Sequence, residues 1–121
     1  LAGSGLALDR SGFVSTDRRL RSTSHPHVLA VGDVGTVGAD PRPKSGVWSV
    51  RAGPPLAEAL RRIAAGRAPA PVAFQRRALV MLATGDRHAI ATRNGVTVEG
   101  GTVWRFKDRI DRAFVARFVR A

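Results

Sequence analysis

The sequence predicts an α/β protein of α+β arrangement, with two strands and a kinked helix followed by a small β-β-β-α unit. Three observations carry this prediction. An unbroken apolar run, "VLAV" at 28–31, sits between polar loops. A helical pattern follows over 44–65, and three short alternating segments precede a stretch with aromatic or aliphatic residues at every fourth position. At 121 residues and 44% hydrophobic, the chain is ordinary for one domain or two small units and is not disordered in composition. Its expected organisation is a first region at 1–66, a linker at 67–74 and a second region at 75–121.

"GFVST" (12–16) alternates and follows Asp9-Arg10-Ser11-Gly12, so it reads as a strand leaving a turn. "DRRLRSTSHPH" (17–27) reads as a polar connection. "VLAV" lacks alternation, which fits a strand covered on both faces and ending in Gly32-Asp33. Residues 35–43, "GTVGADPRP", read as loop. In the helix that follows, Val47, Trp48 and Val50 offer one apolar side, and Leu56, Ala59, Leu60 and Ile63 resume it. Between them stands Gly53-Pro54-Pro55. Each proline removes a donor and crowds the preceding turn, so a kink or brief break is expected there, with Pro55 near the first turn of the second segment. Gly66 ends the helix. "RAPAPVAF" (67–74) is a linker by composition.

"RALVML", "HAIATR" and "VTVEG" are the three later strands, with Asn94-Gly95 as a hairpin turn and Thr84-Gly85-Asp86 as a turn or bulge. The closing stretch "TVWRFKDRIDRAFVARFVR" reads as a helix. Its Phe106, Ile110, Phe114 and Phe118 form a narrow stripe suited to a groove on the strands, and Asp108 and Arg112 are spaced to pair across one turn.

The formal charge is +11, unevenly spread. Residues 1–60 hold 7 Lys/Arg against 5 Asp/Glu, and residues 61–121 hold 13 against 4. A basic second half suits an anionic partner, and equally a solvated arginine-rich surface. With no cysteine, disulfides, thiolate metal sites and thiol nucleophiles are excluded within this segment. No apolar run reaches the roughly 18 residues of a membrane-spanning helix. The opening "LAGSGLALDRSG" has no signal-peptide pattern and no initiator Met, so a piece of a longer protein is expected.

Few residues invite chemistry. "GADPRPKS" fails as a phosphate-binding loop, because Pro43 stands where glycine is needed and supplies no N–H. "GSGLAL" has no third glycine and no strand ahead of it. His25 and His27 lack a carboxylate at ligand spacing, and His88 has no evident partner. No catalytic residue is assigned. Asp33 stands out, since a carboxylate at the end of an apolar strand must be exposed or must accept hydrogen bonds there, and ligands of open α/β sheets bind at strand carboxyl ends. Lys44-Ser45 opens a helix, an anion-friendly position.

"GFVSTDRRLRSTSHPHVLAVGDV" resembles the C-terminal FAD-binding segment of the pyridine nucleotide–disulfide oxidoreductase superfamily, in which a strand ends in Gly-Asp. "PRPKSGVWSVRAGPPLAEALRR" is similar to the type II NADH dehydrogenase-like flavoproteins, within them the subgroup associated with selenide, water dikinase. "QRRALVMLATGDRHAIATRNGVTVEGGTVWRFKDRIDRAFVARF" resembles that subgroup's C-terminal strands and helix, so the likeness spans nearly the whole chain. It implies FAD as cofactor and NAD(P)H as co-substrate of the intact protein. It also implies that Gly32 and Asp33 meet the ribityl chain, and that Lys44, Ser45, Gly46 and Val47 face the isoalloxazine. A helix N-terminus there stabilises negative charge on reduced flavin. Trp48 and Arg51, one turn on, would approach the electron acceptor.

The glycine-rich loops for the FAD pyrophosphate and for the nicotinamide nucleotide are not in this sequence, nor are a His-x-x-x-x-Glu motif or a cysteine pair. The segment is therefore expected to be inactive and colourless alone. Its partners would be the remainder of the flavoprotein or a second copy of itself. The resemblance implies a cytoplasmic location, with peripheral attachment at the inner membrane face as the alternative. In that alternative the chain is a basic interaction, oligomerisation or membrane-surface module without catalysis, the closing helix lying on anionic lipid. Nucleic acid is disfavoured as a partner, because the aromatics fall on a packing stripe and no recognised binding motif is present.

Overall fold

In a computed structural model the protein is mixed α and β, and its described residues form two α-helices, a two-stranded parallel sheet and a three-stranded antiparallel sheet. The structure describes residues 1–38, 41–75 and 77–119. The chain divides into two compact units, Leu1–Phe74 and Gln75–Ala121.

The first unit begins with two turns of one design. Asp9 Oδ1 accepts from the N–H groups of Ser11 (2.8 Å) and Phe13 (3.0 Å), and Gly12 donates to Asp9 O with φ +83°. Eight residues later Asp17 Oδ1 accepts from Arg19 (2.7 Å) and Arg21 (3.0 Å), and Leu20 donates to Asp17 O. Leu20 thus occupies the position of Gly12, at φ +68°, yet it is 1% exposed. The stretch expected to be a polar connection is a tight turn that delivers a core side chain.

The first turn leads into strand β1, Val14–Thr16, with Val14 and Thr16 buried. Its parallel partner is β2, Gly35–Val37, in register Val14↔Gly35 and Thr16↔Val37. This corrects two expectations. The apolar run 28–31 is extended but forms no strand of a sheet; Leu29 makes one bridge to Arg21, and Ala30 N–H donates to Leu20 O. Nor is it covered on both faces, since of these four residues only Ala30 is buried. The second turn places Arg21 beside Leu29, so the run pairs with that turn, and β2 takes the place alongside β1. Residues 35–37, expected to be loop, are that strand. Of the expected loop, Ala39 and Asp40 lie outside the described residues.

Helix α1, Gly46–Ala64, runs unbroken with Pro54 and Pro55 inside it. Of the expected kink or brief break, the break is absent. The two prolines deprive only the carbonyls of Val50 and Arg51 of their helical donors, and both residues are exposed. Ala52 and Ala59, two turns apart, are buried and let the helix approach closely. Gly66, at φ +68°, donates to Ile63 O while Arg67 donates to Arg62 O, the paired bonds of a left-handed helix stop. Residues 67–74 then pack within the first unit: Pro69 is fully buried and Val72 N–H donates to Arg18 O.

In the second unit, β3 (Val80–Gly85), β4 (His88–Arg93) and β5 (Val96–Gly100) pair antiparallel in that order. Asn94 and Gly95 both have positive φ, as the two-residue hairpin turn requires. Asp86 and Arg87 repeat that geometry after a bulge between Ala83 and Gly85. Helix α2, Gly101–Val115, lies against β4 and β5, and central Ala89 and Ala91 are buried. Asp108 and Arg112 pair at 2.8 Å, and the hydrogen-bonded Arg112 guanidinium is raised above its ordinary pKa. Lys107 pairs with Asp111. The aromatic stripe does not fill a groove: Phe106, Ile110, Phe114 and Phe118 are 37–73% exposed. The half-buried residues of α2 are Val103, Trp104, Lys107 and Asp108, all within its first eight residues.

Candidate functional site

The site is built where the chain passes from the 28–31 run into β2 and meets α1. Two glycines shape it. A Cβ on Gly35 would lie 2.6 Å from Ala30 O, so the chain doubles back there with no room for a side chain. Gly32, at φ +66°, opens a short 3-10 turn, Gly32–Val34, and a Cβ on it would lie 3.0 Å from Ser49 Oγ. The turn therefore rests directly on the first turn of α1. Ser49 Oγ donates to Asp33 Oδ1 at 3.0 Å and stands 3.3 Å from Ser45 O. Asp33 itself is exposed. A carboxylate is thus pinned beside a helix N-terminus.

That N-terminus has no side-chain cap and no acidic residue in its first turn. Ser45 occupies the cap position in extended conformation, but its Oγ is buried without a hydrogen-bond partner. Gly46 faces open space and Val47 is half-buried. The leading amides carry the positive end of the helix dipole. Lys44 turns back: its Nζ donates to Gly35 O (2.5 Å) and Thr36 Oγ1 (2.8 Å) and stands 4.3 Å from the centre of the Phe13 ring. Asp9 completes this cluster. The N–H of Phe13 is the main cause holding its carboxyl below the ordinary pKa, with the Thr36 hydroxyl, Ser11 N–H and Lys44 charge adding to it.

Among the expected site residues, the structure brings Gly32 and Asp33 to the first turn of α1, where Ser45, Gly46 and Val47 begin. It directs the Lys44 ammonium onto β2. Trp48 is covered by the Arg42 guanidinium at 5.6 Å, and Arg42 Nη2 donates to Phe74 O at 3.3 Å. Trp48 also lines a cavity of about 40 Å³ with Leu20, Gly32, Gly35 and Phe74. Such a space holds a water or two, well below the roughly 300–1,000 Å³ of a cofactor pocket. Sequence reasoning missed Ser49, whose signal is its four-residue spacing from Ser45, and Thr36, hidden in a stretch taken for loop.

His25 and His88 have local partners. Ser24 Oγ accepts from Ala7 N–H at 2.8 Å and pairs with His25 Nδ1 at 2.9 Å, and His88 Nδ1 pairs with Thr84 Oγ1 at 2.9 Å. No three of the described His, Asp or Glu residues are grouped to hold a metal ion. No family model matches the chain, and no curated protein matches it.

Proposed function

We propose that this chain is the C-terminal part of an FAD-dependent NAD(P)H oxidoreductase of the type II NADH dehydrogenase-like kind, supplying the ribityl and ring contacts of the flavin site. One observation carries the reading: Asp33, exposed and fixed by Ser49, sits beside the uncapped start of α1. The donor and acceptor set suits such a group. Asp33 accepts from ribityl hydroxyls, and the Gly46 and Val47 amides donate to the pyrimidine edge. Gly32, lacking a Cβ, keeps the turn close against α1. Bound flavin supplies the electron transfer between NAD(P)H and an acceptor. Lys44 acts as a positioning residue, tying the start of α1 to β2 through Gly35 and Thr36.

The test is titration of the purified protein with FMN, which carries both the ribityl chain and the ring, followed by flavin fluorescence. The protein is expected to purify colourless and to bind FMN weakly and saturably, with Asp33→Ala abolishing the saturable part. Identical curves for the two proteins would sink the reading.

A second reading, a membrane-surface module without catalysis, is favoured by the exposed Phe106, Ile110 and Phe114 of α2, with the Arg109 guanidinium 5.6 Å from the centre of the Phe106 ring. No helix among the described residues is long and apolar enough to cross a membrane. This reading predicts co-sedimentation with vesicles containing phosphatidylserine, lost on adding salt and weakened by Ile110→Glu. Absence of binding at low salt removes it.

A further inference from the structure

The hairpin turn between β3 and β4 places an arginine where such a turn favours glycine. Its two turn residues, Asp86 and Arg87, have φ +47° and +54°, and in the next turn Asn94 and Gly95 have +54° and +83°. The later turn thus uses glycine at its second position and the earlier one uses Arg87. The Arg87 side chain has a definite destination: its guanidinium stands 5.9 Å from the centre of the Trp104 ring on α2.

Beside this pair lies an open cleft of about 470 Å³, lined by Arg87, Gly101, Thr102, Trp104 and Arg105. Its size falls within the roughly 300–1,000 Å³ of small-molecule sites. Two guanidiniums and a hydroxyl line it, and no carboxylate does among the described residues. Both arginines are exposed, and neither forms an ion pair among the described residues, unlike Arg61 with Glu58. Of the nearby acids, Asp108 is taken by Arg112 and Asp111 by Lys107. Arg105 and Arg109 stand four residues apart on α2, a spacing at which like charges repel until an anion offsets them. A guanidinium fork matches two oxygens of a phosphate, and a phosphate ester offers three acceptor oxygens, enough for two forks and a hydroxyl.

We propose that this cleft of the second unit binds the phosphate group of a small ligand, held by Arg87 and Arg105 with Thr102 donating a further hydrogen bond. Trp104 keeps the Arg87 guanidinium in place, and the remaining volume takes the organic part of a phosphate ester. The balance of 13 Lys/Arg against 4 Asp/Glu over residues 61–121 draws an anion toward it. The site is independent of the flavin reading, since it uses only the second unit. Saturating inorganic phosphate in the FMN titrations fills this cleft and keeps the phosphate of FMN out of it.

The experiment is a titration of the amide chemical shifts of the whole chain with inorganic phosphate and with glycerol phosphate, at constant ionic strength. Saturable shifts are expected at Arg87, Gly101 and Thr102. Arg87→Gly installs the residue the turn favours, so it is expected to keep or raise the melting temperature while weakening phosphate binding by about tenfold or more. Arg105→Gln is expected to weaken binding similarly, and Arg93→Gln, which removes the same charge elsewhere on the second unit, to leave it unchanged. Tighter binding of the ester than of inorganic phosphate identifies an organic phosphate as the ligand, equal binding identifies the free ion, and both uphold the site. Shifts that do not saturate, undiminished binding in Arg87→Gly, or equal weakening by Arg93→Gln overturn it. A short oligonucleotide that binds more tightly than either phosphate compound overturns the assignment to a small ligand.

Discussion

Gly35→Ala is expected to destabilise the first unit by about 3 kcal/mol, the upper range for forcing a group into filled space. The added Cβ would stand 2.6 Å from Ala30 O and 2.8 Å from Ala30 C. Both are backbone atoms, so no side-chain rotation relieves the overlap. The segment 30–31 must move away from β2, and that movement pulls Gly32 and Asp33 from Ser49. The variant should therefore lose stability and FMN binding together. Urea unfolding followed by Trp48 fluorescence, with Trp104 replaced by phenylalanine to silence the second unit, measures the first effect. Wild-type stability in Gly35→Ala would mean that the tight return at Ala30 is wrong.

Leu20→Ala is expected to cost about 2–5 kcal/mol, as truncation of a fully buried leucine does. Leu20 and Val14 are the largest fully buried apolar side chains among the described residues of the first unit, apart from Pro69. A unit of this size has a small margin, so the loss is a large share of its total stability. The backbone makes a second variant informative. At φ +68° any side chain with a Cβ is strained by about 1–2 kcal/mol, and alanine retains that strain. Glycine relieves it while giving up about 0.5–1 kcal/mol in chain entropy. Leu20→Gly should thus be no less stable than Leu20→Ala, the reverse of the ordinary order of these residues. The opposite order would place Leu20 outside the left-handed region.

These two positions also show what the sequence concealed. β4 and β5 were legible to the residue, because alternation and Asn94-Gly95 are local signals that the fold obeys. The end of α1 at Gly66 was equally local. By contrast, the "VLAV" run looks more strand-like than Gly35-Thr36-Val37, yet the latter lies alongside β1. Pairing depends on where the Asp17 turn puts Arg21, and that turn hides a leucine where its twin has Gly12. Pro54-Pro55 announced a break that exposed carbonyls make unnecessary. The stripe from Phe106 to Phe118 has the period of a buried face, but burial on α2 is confined to its first eight residues, at Val103, Trp104, Lys107 and Asp108. Periodicity reports that a helix is amphipathic and not how far along its length the sheet covers it.

At the candidate site, Gly32-Asp33 and the helix start after Lys44 were each legible in the sequence, and only the resemblance implied that the two lie near one another. The hydroxyl that holds Asp33 was not legible, since Ser49 looks like any polar residue on a helix. Lys44 shows the converse: a cation ahead of a helix start suggests an anion site, but the geometry uses it as a tie to β2.

The central claim is that this chain carries the ribityl- and ring-facing half of a flavin site. Its most direct test is a residue-resolved titration of amide chemical shifts with FMN. Shifts are expected at Gly32, Asp33, Gly46 and Val47, absent from β3, β4 and β5, and lost in Asp33→Ala. Saturation with no shift at those four amides, or shifts confined to the second unit, would contradict it.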